Sequence, residues 1–148
     1  MADTHRTFIQ LNSGDFTNVG GSAASFRNTL ATPFVLDKLK KYEVACMDYF
    51  FPVNQIANSV YINLLNLVSE SITGSQNTSA VCFIPFTSLG TAGAQLYGTT
   101  ALARKWYPIN VSSFSYVDVS FTQSTGALIP VVAGEYSTIT IAIREIGY

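Results

Sequence analysis

Full charges are scarce in this sequence: 8 Lys and Arg and 9 Asp and Glu among 148 residues, or 11%, where soluble domains average about 25%. With a net charge of −1 and a pI near 5.7, a broad electrostatic grip on nucleic acid is excluded, because that grip needs clustered cations. The one local cluster, Lys38, Lys40 and Lys41, reads as a solvated turn. Histidine occurs once, at His5. Ser–His–Asp and Cys–His chemistry needs an imidazole held by packing, so nucleophilic catalysis is left without its base. Cysteine occurs twice, too few with one histidine to make a zinc site. Cys46 and Cys82 both lie in apolar runs, where a free thiol behaves as a small buried hydrophobe. Two cysteines alone leave their mutual pairing open.

Other absences narrow the field further. No apolar run approaches the ~20 residues of a membrane-spanning helix. Met1–Arg6 leads into a strand-like segment rather than the apolar core of a secretory leader. The expectation is therefore synthesis and assembly in an intracellular, reducing setting, with the sequons at Asn77 and Asn110 as chance matches. The glycines at 20, 21, 90 and 93 fit neither a phosphate loop nor a dinucleotide fingerprint. Carboxylates are scattered singly. Asp48 and Asp118 are the pair to suspect for glycosidase chemistry, and the plainer reading puts each at a strand end or on a loop hydrogen bond. No enzyme activity, metal or cofactor is expected.

What the sequence has is neutral polarity and rings: Ser, Thr, Asn and Gln in quantity, and 13% aromatics. Neutral hydroxyls and amides lose less than charges when another protein covers them. A chain of this length buries only about 68–70% of its unfolded surface by itself. A low-charge exterior thus suits a subunit that neighbours will cover.

Helical periodicity is almost missing. Short runs rich in Val, Ile, Thr, Tyr and Phe recur between Gly, Pro, Ser and Asn clusters, the pattern of an antiparallel all-β domain. Strands are expected at Arg6–Asn12, at Ser25–Leu30 closed by Pro33, at Tyr42–Phe51 stopped by Pro52, and at Val60–Ser69. Further strands are expected at Ala80–Phe86, Lys105–Ile109, Ser112–Gln123 and Ser137–Ile146. Asn18–Ser22 and Ile72–Ser79 read as loops. Ser88–Thr100, with three glycines, reads as loop around one short strand near Gln95-Leu96-Tyr97. In Ser112–Gln123, Phe114, Tyr116 and Asp118 are expected on one face, and Val117, Val119 and Phe121 on the other. Eight or nine strands with long connections favour Greek-key wrapping, of which the eight-stranded jelly roll is the fullest form. Residues 1–148 are expected to form a single domain, with 1–5 as a flexible tail.

Thr7–Asn58 carries a recognisable arrangement. A strand with Phe8, Ile9 and Leu11 leads to Asn12-Ser13 and a Gly/Asn-rich loop. Next come Ser25-Phe26-Arg27-Asn28-Thr29-Leu30, then Pro33 with Val35-Leu36. Lys41-Tyr42-Glu43-Val44-Ala45-Cys46-Met47 follows, closed by Phe51-Pro52. This resembles the amino-terminal half of the single-jelly-roll penton, or vertex, proteins of icosahedral double-stranded DNA viruses. These belong to the polinton, virophage and adenovirus-like lineage, whose major capsid proteins are double jelly rolls. An aromatic-Glu-Val segment opens a core strand in that family and Tyr/Phe-Pro closes it; Tyr42 stands where a Trp is usual. Gly134–Arg144, a Gly-x-Tyr turn running into an alternating Thr/Ile strand, is similar to the family's last strand. Ser69–Tyr107 matches nothing in it.

The resemblance implies a structural role. Five copies would form a ring at each fivefold vertex of the virion and contact the double-jelly-roll major capsid protein, with minor or cement capsid proteins as further partners. A closed ring uses two different patches of each subunit. Tyr49, Phe50, Phe51, Trp106 and Tyr107 are the candidate interface anchors. Two rival readings are the major coat protein of a small single-jelly-roll virus and a trimeric jelly-roll module that binds a receptor or glycan. The first lacks the basic genome-binding arm often found there. The second lacks a sugar- or metal-binding cluster.

Overall fold

The first and last strands of the chain pair with each other, and the rest of the fold is wound between them. The computed structural model describes residues 6–14, 18–56, 59–68, 71–73, 76–78, 80–85, 89–99, 105–123, 126–129 and 135–146; for 18–21, 51–56, 59, 71–73, 76–78, 85 and 89–99 it gives the backbone course alone. The strands are β1 (Arg6–Asn12), β2 (Asn18–Ser22), β3 (Ser25–Val35), β4 (Lys41–Ile56), β5 (Ser59–Leu64), β6 (Ser71–Thr73), β7 (Gln76–Thr78), β8 (Ala80–Pro85), β9 (Leu89–Thr99), β10 (Tyr107–Pro108), β11 (Ser113–Thr122) and β12 (Thr138–Ile146). Among the described residues there is no helix, hence none long and apolar enough to cross a membrane.

The first sheet runs β1-β12-β4, with β9 and β10 both pairing with β4; the second runs β2-β3-β11-β5-β8. Every pairing in them is antiparallel. Setting aside the short β2 and β10 and the β6–β7 hairpin leaves eight principal strands. Counted in chain order, they stand 1-8-3-6 in one sheet and 2-7-4-5 in the other. Each half is a Greek key closed across the sandwich, so the fold is a single jelly roll.

Period-two alternation builds the core. Ile139, Ile141 and Ile143 of β12 face inward between Leu11 of β1 and Val44 and Cys46 of β4, and meet Val60, Ile62, Leu64, Val117, Val119 and Phe121 of the second sheet. The polar corner where β1 leaves the first sheet is satisfied internally. Ser13 N–H donates to Ser137 O at 2.9 Å, Ser137 N–H to Ser13 Oγ at 2.8 Å, and Ser137 Oγ to Ala23 O at 2.5 Å. Asn28 clamps the same corner: its Oδ1 accepts from Asn12 N–H at 2.8 Å and its Nδ2 donates to Asn12 O at 3.0 Å. Burying these groups costs little because nearly all of their hydrogen bonds are made.

Several expectations need correction. Pro33 does not close β3, which continues to Val35. The register jumps from Thr29–Tyr116 to Phe34–Phe114, so Pro33 lies inside a bulge where no ladder N–H is required. Pro52 does not stop β4 either. Beyond Phe50 that strand has left β12 and pairs with β9, with irregular register past Pro52. Ser88–Thr100 is not mainly loop. β9 pairs the edge of β4 opposite to β12, from Asp48 to Ile56, and so satisfies backbone groups on that side, despite Gly90, Gly93 and Gly98. The strand from Val60 ends at Leu64, where Leu67 and Val68 N–H both donate to Leu64 O in a tight turn. Asn18–Ser22 adds β2 to the edge of β3. Phe114 joins the inner face, because β11 breaks its own alternation at Ser115–Tyr116, where its register with β3 is irregular; its ring stacks on Phe34 at 5.3 Å. The expected tail at 1–5 lies outside the described residues.

Candidate functional site

Outward-facing positions of the first sheet gather around one indole. Arg6, Arg144 and Glu43 are consecutive partners across β1, β12 and β4, and Pro108 of β10 continues the row. Tyr107 stands opposite the inward Val44, so alternation turns Trp106 to the outer face. There its ring centroid lies 4.0 Å from Arg144 Cζ and 5.3 Å from Arg6 Cζ. Arg144 also donates from Nε and Nη2 to Glu43 Oε1, at 3.0 and 2.7 Å. The next pair along, Ala142 and Ala45, faces outward yet is fully buried. Side chains of that size leave room for an indole to lie against the sheet. Phe8, opposite Ala142 on β1, is 58% exposed and extends the patch.

The outer face of the second sheet holds a group of the same chemistry. Arg27 grips Asp118 with two hydrogen bonds, Nε to Oδ1 at 2.6 Å and Nη2 to Oδ2 at 3.0 Å, while its Cζ sits 3.9 Å from the Tyr116 ring centroid. The hydrogen bond to Asp118 raises the Arg27 pKa above its ordinary value, so the cation is permanent. Asn66 fixes the strand beneath: Nδ2 donates to Tyr116 O at 2.7 Å and Oδ1 accepts from Asp118 N–H at 2.9 Å. That amide reproduces a ladder rung just past the end of β5. Nearer the β8 edge, Tyr61 and Phe83 pack at 4.8 Å between centroids, with Phe83 half exposed.

Each face thus carries a guanidinium on an aromatic ring, held by a carboxylate. Arg, Trp and Tyr are the residues that dominate binding energy at interfaces, since a flat ring and a delocalised cation lose little entropy and desolvate readily. Of the sequence-derived anchors, Trp106 belongs to the first-sheet patch. Phe50, opposite Thr138, faces outward and is partly buried. Tyr49 and Tyr107 turn inward instead, opposite Ile139 and Val44, and pack on the core edge. Burial raises both phenol pKa values, with the nearby Cys82 adding to the effect. The Phe51 side chain lies outside the described residues. The cross-strand arginines and Tyr116 had no signal in a linear reading; each is isolated in sequence and meets its partners only through register.

Other chemistry is thin among the described residues. No group of three His, Cys, Asp or Glu side chains there fits a metal ion. Asp48 and Asp118 are not brought together: they stand in different sheets, and Asp118 is engaged by Arg27. The lysine cluster sits in the turn that opens β4, where Asp37 accepts from Lys40 N–H at 3.1 Å and its side chain from Leu39 N–H at 2.9 Å. Lys40 pairs with Glu145 at 3.0 Å, and that hydrogen bond raises its pKa. An open groove of about 650 Å³ runs beside this turn, floored by Leu36, Tyr42, Pro108, Ile109 and Val111.

No family model matches the chain, and no curated protein matches it. Among solved structures, the fold is similar to the crystal structure of the selenomethionine-labelled mavirus penton protein. The TM-score is 0.63 over 97% of this chain and 100% of that one, at 8% sequence identity. At that identity the likeness is one of fold.

Proposed function

We propose that this chain is a structural protein of a virion: a penton-type capsid protein, five copies of which close a ring at the fivefold vertices of an icosahedral double-stranded DNA virus. Its partners are its own copies and a double-jelly-roll major capsid protein, with minor or cement proteins at the rim, and it carries no catalytic role. The observation that supports this most is the likeness in fold to the mavirus penton protein over 97% of this chain and all of that one.

The surface chemistry agrees. A ring needs two different, complementary patches on every subunit. The Trp106–Arg144 patch and the Tyr116–Arg27 patch lie on opposite outer faces of the sandwich, one on each sheet. Their cations are already held by Glu43 and Asp118, so covering them leaves no charge stranded.

Native mass spectrometry, followed by cryo-microscopy with the coat protein, tests the reading. Pentamers, or density for this chain on fivefold axes, are expected. Trimers that bind a receptor or glycan would favour the ligand-module alternative. A chain that stays monomeric and never occupies fivefold positions when mixed with coat protein would defeat the proposal.

A further inference from the structure

Two thiols with no part in either surface patch meet inside the sandwich. Cys46 lies on β4 of the first sheet and Cys82 on β8 of the second. Register fixes their direction. Cys46 stands opposite Ile141 and Cys82 opposite Ile62, and both isoleucines are fully buried in the core. Each cysteine therefore faces inward from its own sheet. Stacked sheets normally lie about 10 Å apart, yet Cα atoms of β4 and β8 come within 8 Å of one another. Cys46 belongs to the buried core cluster and Cys82 packs against that cluster, while Cys46 Sγ donates to Asp48 O at 3.6 Å. Both sulfurs are free thiols; Cys46 is buried and Cys82 is partly open to solvent.

We propose that Cys46 and Cys82 are a redox pair that closes to an intramolecular disulfide between the two sheets when the protein meets a small disulfide oxidant such as oxidised glutathione. A disulfide asks for Cα atoms about 4.4–6.8 Å apart, and strands already this close need only a small approach. The inequality of the two thiols orders the steps. Contact with Cys46 lowers the Cys82 pKa below its ordinary value, against the opposing effect of burial. Cys82 is also the more accessible sulfur, so it is the first nucleophile.

Its thiolate attacks one sulfur of the oxidant, breaks that S–S bond and releases one small thiolate, leaving a mixed disulfide on Cys82. Cys46 then gives up its proton and attacks Cys82 Sγ. The Cys46–Cys82 bond forms, the mixed disulfide breaks, and the second small thiolate leaves. Two protein thiols have lost two electrons and two protons, and one small disulfide has become two thiols. A chain folded under reducing conditions would thus acquire an internal staple on transfer to an oxidising one. This inference is independent of the capsid reading.

The test is to incubate the purified chain with oxidised glutathione, quench free thiols, and map peptides without reduction. Expected is a chain lighter by two hydrogens and bonded covalently to no other, in which the Cys46 and Cys82 peptides are joined. Its unfolding constant should fall roughly 10²–10³-fold, the effect of closing a loop of this length. Cys46→Ala should trap glutathione on Cys82, and Cys82→Ser should leave Cys46 unmodified. In the unaltered chain, a lasting glutathione adduct on Cys82 beside a free Cys46 would overturn the proposal. So would bonds only between molecules, or two thiols that stay free. Because the peptide map uses the unaltered chain, the result does not hang on either variant folding.

Discussion

Asn66 shows how much one side chain contributes here. β5 ends at Leu64, and the backbone of β11 at Tyr116 and Asp118 would lose its partner there; the Asn66 amide supplies both a donor and an acceptor. Asn66→Ala is expected to destabilise the fold by about 1–3 kcal/mol, the cost of stranding partly buried backbone groups, as read from urea denaturation. Tyr42 makes a similar contribution, because its Oη accepts from Asp37 N–H at 3.1 Å. An indole in its place has no acceptor. Tyr42→Phe should cost about 0.5–1.5 kcal/mol in the same measurement. The raised phenol pKa values of Tyr49 and Tyr107 carry a pH signature. Below about pH 10 these groups are protonated in both states and stability is level. Above it, the unfolded chain releases protons that the folded chain retains, so stability falls as pH rises. A Tyr49→Phe/Tyr107→Phe double variant should show a shallower fall between pH 9 and about 11; an unchanged slope would contradict the assignment.

Elements with a strict alternation were legible from sequence. β1 and β12 appear within a residue of their expected limits, since the inner Ile9, Leu11, Ile139, Ile141 and Ile143 alternate with outer residues such as Gln10, Thr138 and Thr140, and a one-residue slip would expose the core. Ile141, at the centre of β12, should therefore be intolerant: Ile141→Ala is expected to cost about 2–5 kcal/mol in thermal or urea unfolding. Pro33→Ala should change stability by less than about 1 kcal/mol, because its bulge makes no ladder demand at that position. β9 and the far end of β4 were not legible. Proline and glycine report local preference, whereas these strands exist because backbone groups of one extended segment need the other. The inner placement of Phe114 was hidden for a related reason: β11 departs from alternation at Ser115–Tyr116 where it meets the irregular stretch of β3, and a period-two reading of Ser113–Thr122 assumes no such break.

On the scale of the whole molecule, the low charge count becomes an arrangement. Arg144 and Arg27 have carboxylate partners within the chain and lie on aromatic rings, so in the proposed ring they would meet a neighbour as compensated, largely flat surfaces. Association should then change little between about 20 and 200 mM salt, as read by native mass spectrometry or sedimentation; strong salt sensitivity would speak against these patches as the interface. Trp106→Ala should weaken the proposed pentamer by at least about tenfold while leaving the monomer folded. Tyr107→Phe, which keeps the inward ring, should leave assembly unchanged.

Composition and alternation alone determined that the chain is antiparallel all-β with a neutral exterior suited to being covered, because strand faces and desolvation costs are properties of each residue and its nearest neighbours; the long connections favoured a jelly roll, whose strand order came from the tertiary structure. Only the tertiary structure decided which aromatics reach the surface, which arginines meet them, and that two cysteines from different sheets face each other. Those facts depend on register between strands far apart in the chain, and register is set by the packing of the entire core.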